Sequence, residues 1–327
     1  MATNTERSLL LTGATGFVGG AVRPALSLAG WRVRCLTRDA ARARQRQPGL
    51  DWVQGDVGDP ESCARALDDC RAALYLVHAI GEGSDHYQRE VAAASNFAAS
   101  AARAGVERIV YLGGVAPAGA GSAHLRSRLA VGEALRAGAV TAVELCASMI
   151  VGFGSLSWLI VRDLAARLPV MVLPRWLRSR TQPIAIDDVV IALVRALELP
   201  LAASASFDVP GPVTLSGKQI LEETARAMGL PPPRTIGVPL LSPHLSSLWV
   251  RLVTRADWSV AREVVVGLTQ DLLARDDRFW RLVDHPNRLG FADAARRALD
   301  AELRRSPVPG AWGIIERLRG LALSPPA

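Results

Sequence analysis

Leu9-Leu10-Leu11-Thr12-Gly13-Ala14-Thr15-Gly16-Phe17-Val18-Gly19-Gly20 is the stretch on which the fold turns. An apolar run stops at Gly13, Gly16 and Gly19, and an apolar pattern of helical period follows through Val18, Val22, Leu26 and Ala29. Physically this is a buried strand, a tight turn and a helix. The glycines let backbone approach a ligand closely, and the first helical turn offers unpaired N–H groups with partial positive charge. Together they suit a pyrophosphate. The stretch therefore predicts a dinucleotide site on Thr12, Gly13, Thr15, Gly16, Phe17, Val18 and Gly19.

Downstream, Trp31 to Leu36 alternates as a second strand and ends at Thr37-Arg38-Asp39. In a dinucleotide fold this strand end reaches the adenosine ribose, where an acid favours NAD by accepting from the 2′-hydroxyl. Thr37 stands at that position and Arg38 follows; a guanidinium suits a 2′-phosphate, so NADP(H) is favoured over NAD(H). The alternative leaves Arg38 solvated and gives the binding to Asp39. Arg42, Arg44 and Arg46 look more like surface charge, with one of them available to a phosphate pocket.

Trp52 to Val57 looks like a third strand, with Asp56 placed to accept from an adenine amino group and Val57 to pack near the ring. Asp59 and Pro60 start a helix with Asp59 as its N-cap. Ala72 to Val77 is an apolar fourth strand, and His78 follows at its C-terminal end, either lining the cofactor or serving the loop. Asp85 to Ala104 is helical and stops at Gly105. Arg108 to Leu112 is a fifth strand closed by Gly113-Gly114, with Gly113 against the cofactor; a helix runs from His124 to Arg136, and Val140 to Ala147 is a sixth strand. This alternation predicts an α/β, Rossmann-like, doubly wound parallel sheet over residues 1–150.

Beyond Ile150 the rhythm changes. Helices are expected over Trp158 to Leu168, from a cap at Asp187 to Leu199, and from Thr214-Leu215-Ser216 to Gly229, with a short strand at Phe207-Asp208-Val209. Trp249, Trp258, Trp280 and Trp312 fall on the remaining helices. Residues 151–327 thus form a smaller, mainly helical C-terminal cap that partly completes the sheet and holds the substrate.

Composition narrows the function classes. Of 327 residues, half are hydrophobic and 5% aromatic, so branched aliphatics and alanine fill the core. The net charge of +7 comes from arginines spread among acids, with Lys218 the only lysine. That distribution points to a solvated surface rather than a nucleic-acid partner. Cys35, Cys63, Cys70 and Cys146 form no CxxC pair and no metal-spaced cluster. The polar N-terminus is not a signal peptide, and no uncharged run reaches about 18–20 residues, so a cytoplasmic protein without a membrane span is expected. Met171-Val172-Leu173 and Leu240-Leu241 would permit loose membrane association, although a core role explains both.

The residues resemble the short-chain dehydrogenase/reductase superfamily, in its extended or atypical branch. The resemblance rests on Thr12 to Gly19, Asp56-Val57, Arg108 to Leu112 and Gln182 to Val189. Tyr75 to His78, His124 to Arg128 and Leu245 to Trp249 resemble a bacterial subgroup of NAD(P)-binding, NmrA-like proteins. The family pattern implies a tyrosine with a lysine four residues later, and a serine after the fifth strand. Here the tyrosines are Tyr75, Tyr87 and Tyr111, the sole lysine is Lys218, and Gly113-Gly114 stand in place of the serine. His124 and Arg128 occupy the dyad position and, four apart, share a helix face. A histidine transfers protons near neutrality; an arginine stabilises an oxyanion or holds a ribose without shuttling protons. The alternative is that His124 caps the helix and Arg128 binds cofactor or an acid such as Glu133.

Three readings compete. The first is an NADP(H)-dependent reductase of a fairly apolar small molecule, with Met149, Phe153, Trp158 and Trp176 as pocket candidates. The second is an NADP(H)-binding sensor or assembly factor without turnover. The third, a sugar-nucleotide epimerase or dehydratase, is opposed most by the missing tyrosine. The helix from His124 resembles one that pairs in homodimeric relatives, although its own pattern demands no partner.

Overall fold

The computed structural model describes residues 7–77, 84–117, 119, 122–167, 170–173, 178–237 and 270–305. The first half alternates strictly: β1 (Arg7–Leu11), α1 (Phe17–Leu28), β2 (Trp31–Thr37), α2 (Ala40–Arg46), β3 (Asp51–Gln54), α3 (Pro60–Leu67), β4 (Ala72–Tyr75), α4 (Ser84–Arg103), β5 (Arg108–Gly114), α5 (Ala123–Arg136) and β6 (Thr141–Ala147). Shorter strands and helices follow: β7 (Ile150–Val151), α6 (Leu156–Arg167), β8 (Val170–Leu173), β9 (Arg180–Thr181), β10 (Ile184–Ala185), α7 (Ile186–Leu197), β11 (Ala205–Asp208), β12 (Leu215–Ser216), α8 (Gly217–Ala227), β13 (Arg234–Gly237), α9 (Arg278–Leu282) and α10 (Phe291–Arg305).

Seven strands make one parallel sheet in the order β11-β6-β5-β4-β1-β2-β3. The order reverses between β1 and β4, and such a switch point opens a crevice at the strands' C-terminal ends. This is the Rossmann-like doubly wound sheet expected, with β11 from the second half of the chain on its edge.

Strand periodicity divides the core. Leu9 and Leu11 face a layer with Val22 and Leu26 of α1 and Val189 and Leu193 of α7. Leu10 faces the opposite layer, with Leu67 of α3, Phe97 of α4 and Leu135 of α5. All three β1 leucines are fully buried, worth roughly 1.5–3 kcal/mol each. A third apolar cluster joins α6, α8 and α10 through Trp158, Leu221 and Phe291.

Two local expectations hold, the cap at Asp59 and the helix start at Thr214-Leu215-Ser216. The Asp59 carboxylate caps α3, accepting from Glu61 N–H at 3.2 Å and Ser62 N–H at 3.1 Å. Ser216 and Gln219 form a reciprocal capping box on α8.

Two do not. Asp187 is not the cap of α7: β10 runs straight into the helix, so the cap falls on Ala185, and Asp187 in the first turn meets Arg297 at 3.1 Å. Trp158 is core rather than pocket, 1% exposed and set edge-on to Phe291 at 6.5 Å between centroids.

Met171-Val172-Leu173 belongs to β8, which pairs in parallel with β13. Leu240-Leu241, Trp176, Trp249, Trp258 and Trp312 lie outside the described residues. No helix among the described residues is long and apolar enough to cross a membrane. All four cysteines are free and buried.

Candidate functional site

The site begins at the turn after β1. Gly13 has φ +66°, and a Cβ there would stand 2.5 Å from the Leu76 carbonyl oxygen. Only glycine fits both the conformation and the space. Thr12 is fully buried; its hydroxyl donates to Leu74 O at 3.2 Å and accepts from Leu76 N–H at 2.9 Å, tying the turn to the end of β4. Gly19 lets α1 sit tightly on the turn, since a Cβ there would stand 2.2 Å from Gly13 O. Gly16 is the N-cap of α1 and provides no side-chain cap bond. The first-turn N–H groups are therefore left to a ligand, and the cradle fits an anion such as a pyrophosphate.

A cleft of about 940 Å³ opens from this turn across the switch point. Thr12, Gly13, Thr15, Gly16, Asp56 and Val57 line it, as does Arg38. Asp56 spends one carboxylate oxygen on Gly58 N–H at 2.8 Å. Asp39 also borders the cleft, but its side chain caps α2 through Arg42 N–H at 2.9 Å. His78 lies outside the described residues.

The other predicted residues stand apart from the lining. Phe17 packs against the loop after β7, where a Cβ on Gly152 would lie 3.0 Å from its ring. Val18 is packed against the core layer that holds α1. Gly113 faces Glu144: a Cβ there would stand 2.8 Å from Glu144 Oε1.

Two arginines of α2 were underrated by the sequence reading. Arg42 and Arg46 line the same end of the cleft as Arg38, while Arg44 donates to Trp52 O at 2.6 Å instead. The signal was available: residues 42 and 46 are four apart on α2, the spacing of one helical face, and Arg38 stands just before that helix. Arg89 and Glu90 of α4 also border the cleft, with no motif to announce them.

His124 and Arg128 sit half-buried in the first half of α5 and do not line this cleft. Ser122, not His124, caps the helix, accepting from Leu125 N–H at 3.2 Å. Arg128 lies across the end of β5, where a Cβ on Gly114 would be 3.6 Å from its Cδ. Its Nε is buried with no hydrogen-bond partner among the described residues. The Tyr111 hydroxyl donates to the Arg128 carbonyl at 3.0 Å and pins α5 to β5.

Neither Tyr75 nor Tyr111 replaces the missing tyrosine. Both are nearly fully buried, and burial drives each hydroxyl well above the ordinary tyrosine range. Lys218 lies on α8, 3.6 Å from Glu222.

A family model described as NAD(P)H-binding matches residues 13–165. A ceramide reductase of Caulobacter vibrioides is 31% identical over 250 residues, spanning 73% of this chain and 76% of that protein. A putative dihydroflavonol 4-reductase of Synechocystis is 32% identical over 114 residues, a third of each chain. Among solved structures, the triphenylmethane reductase of Citrobacter complexed with NADP(H) superposes with a TM-score of 0.69 at 16% identity, over 89% of this chain and 99% of that one. MoeE5 in complex with UDP-glucose and NAD gives 0.68 at 17% identity, over 91% and 99%. At those identities the structural likeness concerns the fold.

Proposed function

Because the chain belongs to the NAD(P)H-binding short-chain dehydrogenase/reductase superfamily, in its extended, atypical branch, we propose that it is an NADPH-dependent reductase of an apolar carbonyl compound. The carrying observation is the row of Arg38, Arg42 and Arg46 along one end of the cleft. Three guanidinium groups beside a ribose site suit a 2′-phosphate, and among the described residues Asp39, the acid beside Arg38, is already engaged as a helix cap. The reductase reading and the apolar substrate are supported by the likeness to a ceramide reductase.

When bound, the nicotinamide would supply hydride to the substrate carbonyl carbon. The Gly13–Gly16 turn and the start of α1 hold the pyrophosphate. Arg128 stabilises the carbonyl oxygen as it becomes negative. His124, four residues before it, gives that oxygen its proton. The cluster of α6, α8 and α10, set apart from the main sheet, would cap the substrate. The free, buried thiols suit a reducing cytoplasm.

A second reading has its own support: His124 and Arg128 do not line the cleft. On that reading the chain binds NADP(H) as a sensor without turnover.

Titration with NADPH and NADH, followed by nicotinamide fluorescence, tests the proposal. NADPH should bind at least tenfold more tightly than NADH. Arg38→Ala should remove about one charge-assisted contact, roughly 1.5–3 kcal/mol or ten- to a hundredfold, from NADPH alone. Equal affinities would defeat the NADPH assignment. Oxidation of NADPH by long-chain or ring ketones, lost in His124→Phe, would separate reductase from sensor.

A further inference from the structure

Glu90 is the acidic side chain that α4 brings to the cleft. It is half-buried, and its carboxylate accepts a hydrogen bond from the Ser127 hydroxyl on α5. Ser127 is itself 3% exposed, so the bond is sheltered and fixes one carboxylate oxygen. Its charge is felt by Tyr75 on β4 and Tyr111 on β5, which places it over that half of the sheet.

Sheet order turns this position into a statement about a ligand. Strand β1, with its glycine turn, lies between β2 and β4. Arg38, Arg42 and Arg46 follow β2 on one side of the turn; Glu90 sits on the other side, over β4 and β5. From β2 to β5 is three interstrand spacings, about 14 Å. A dinucleotide has two ribosides joined by a pyrophosphate. With the pyrophosphate at the turn and the phosphorylated ribose at the arginines, the second ribose falls on the side of Glu90. A carboxylate repels phosphate and accepts hydrogen bonds from a vicinal diol, which is what that ribose presents.

We propose that Glu90, oriented by Ser127, holds the hydroxyls of the nicotinamide-side ribose. The inference rests on the reading that the cleft takes NADPH. It gives the chain an anchor for the second ribose that uses neither a tyrosine nor a lysine.

Fragments of the cofactor test it by calorimetry. NADPH and 2′-phospho-ADP-ribose carry the second ribose; adenosine 2′,5′-bisphosphate lacks it. Glu90→Ala should weaken NADPH and 2′-phospho-ADP-ribose at least tenfold and leave the bisphosphate unchanged. Ser127→Ala should give the same pattern at smaller size, and the isosteric Glu90→Gln should fall between. Equal loss for all three ligands in Glu90→Gln, or no loss for any, would overturn the assignment. If the wild-type protein binds none of the three, the cofactor reading itself falls and this inference with it. If it binds all three and the variants match it, only the role of Glu90 falls.

Discussion

The Glu144 carboxylate fills space that side chains at two glycines would need: a Cβ on Gly132 would stand 2.1 Å from its Oε1, and one on Gly113 2.8 Å. The residue is 2% exposed, and Arg136 Nε donates to its Oε2 at 2.9 Å. Burial raises its pKa more than Arg136, Ser206 and Cys146 pull it back. A raised folded-state pKa means that the stabilising contribution is full below the unfolded value and is lost as pH rises through the folded one. Glu144→Gln cannot ionise and escapes that loss. Melting temperatures measured between about pH 4 and pH 8 should therefore show the Gln variant gaining on the wild type as pH rises. A difference that stays flat with pH would contradict this account.

Gly13 and Gly20 make a matched test of the turn. Gly13→Ala must adopt φ +66° and press a methyl group to 2.5 Å from Leu76 O. It should cost about 1–3 kcal/mol for the backbone alone and abolish dinucleotide binding. At Gly20 the nearest atom to an added Cβ is Arg23 Nη2 at 3.9 Å. Gly20→Ala, within α1, should stabilise by roughly 0.5–1 kcal/mol and bind normally. Chemical denaturation and nucleotide titration of both variants check the pair; a Gly13→Ala protein that binds like wild type would remove the turn from the site.

The elements that were legible in the sequence carry local periodicity or turn chemistry. Leu9 to Leu11 showed an unbroken apolar strand, and Gly13, Gly16 and Gly19 marked its turn. The capping box at Ser216 and Gln219 lay next to the start predicted from Thr214-Leu215-Ser216. What was missed is tertiary. Glu90 and Ser127 are 37 positions apart and meet only because α4 packs on α5. Glu144 is an acid inside an otherwise apolar strand, a visible signal, yet its partner Arg136 lies on the preceding helix. Asp187 and Asp188 look alike at a helix start; only the fold shows that the second is buried and bonded to a segment about a hundred residues away.

Asp188 should govern how firmly that segment is held. It is 2% exposed, accepts from Leu289 N–H at 2.9 Å and lies 2.9 Å from His285 Nε2. Asp188→Ala leaves both donors unpaired at the junction of α7 and the chain before α10. A loss of about 1–3 kcal/mol in urea unfolding is expected, with Asp188→Asn losing less because an acceptor remains. An alanine variant as stable as wild type would show that solvent satisfies these groups.

The chain has four cysteines, and all four are buried in the fold. Burial raises the Cys35 and Cys63 thiols to about 11 and Cys146 to about 12, and raises Cys70 as well. A thiol with a pKa near 11 is about one part in a thousand thiolate at pH 8, and the thiolate is the attacking species. Burial also denies access to the reagent. Native protein at pH 8 should therefore show no reaction with a chromogenic aromatic disulfide on the scale of minutes, and four equivalents should appear once guanidinium unfolds the chain. Because reaction then waits on opening, the native rate should rise in Asp188→Ala if its loosened segment shares the opening that exposes Cys146, which lies beside Ser206 at 3.4 Å on the β6–β11 edge. An unchanged rate in that variant would separate the two regions into independent opening units.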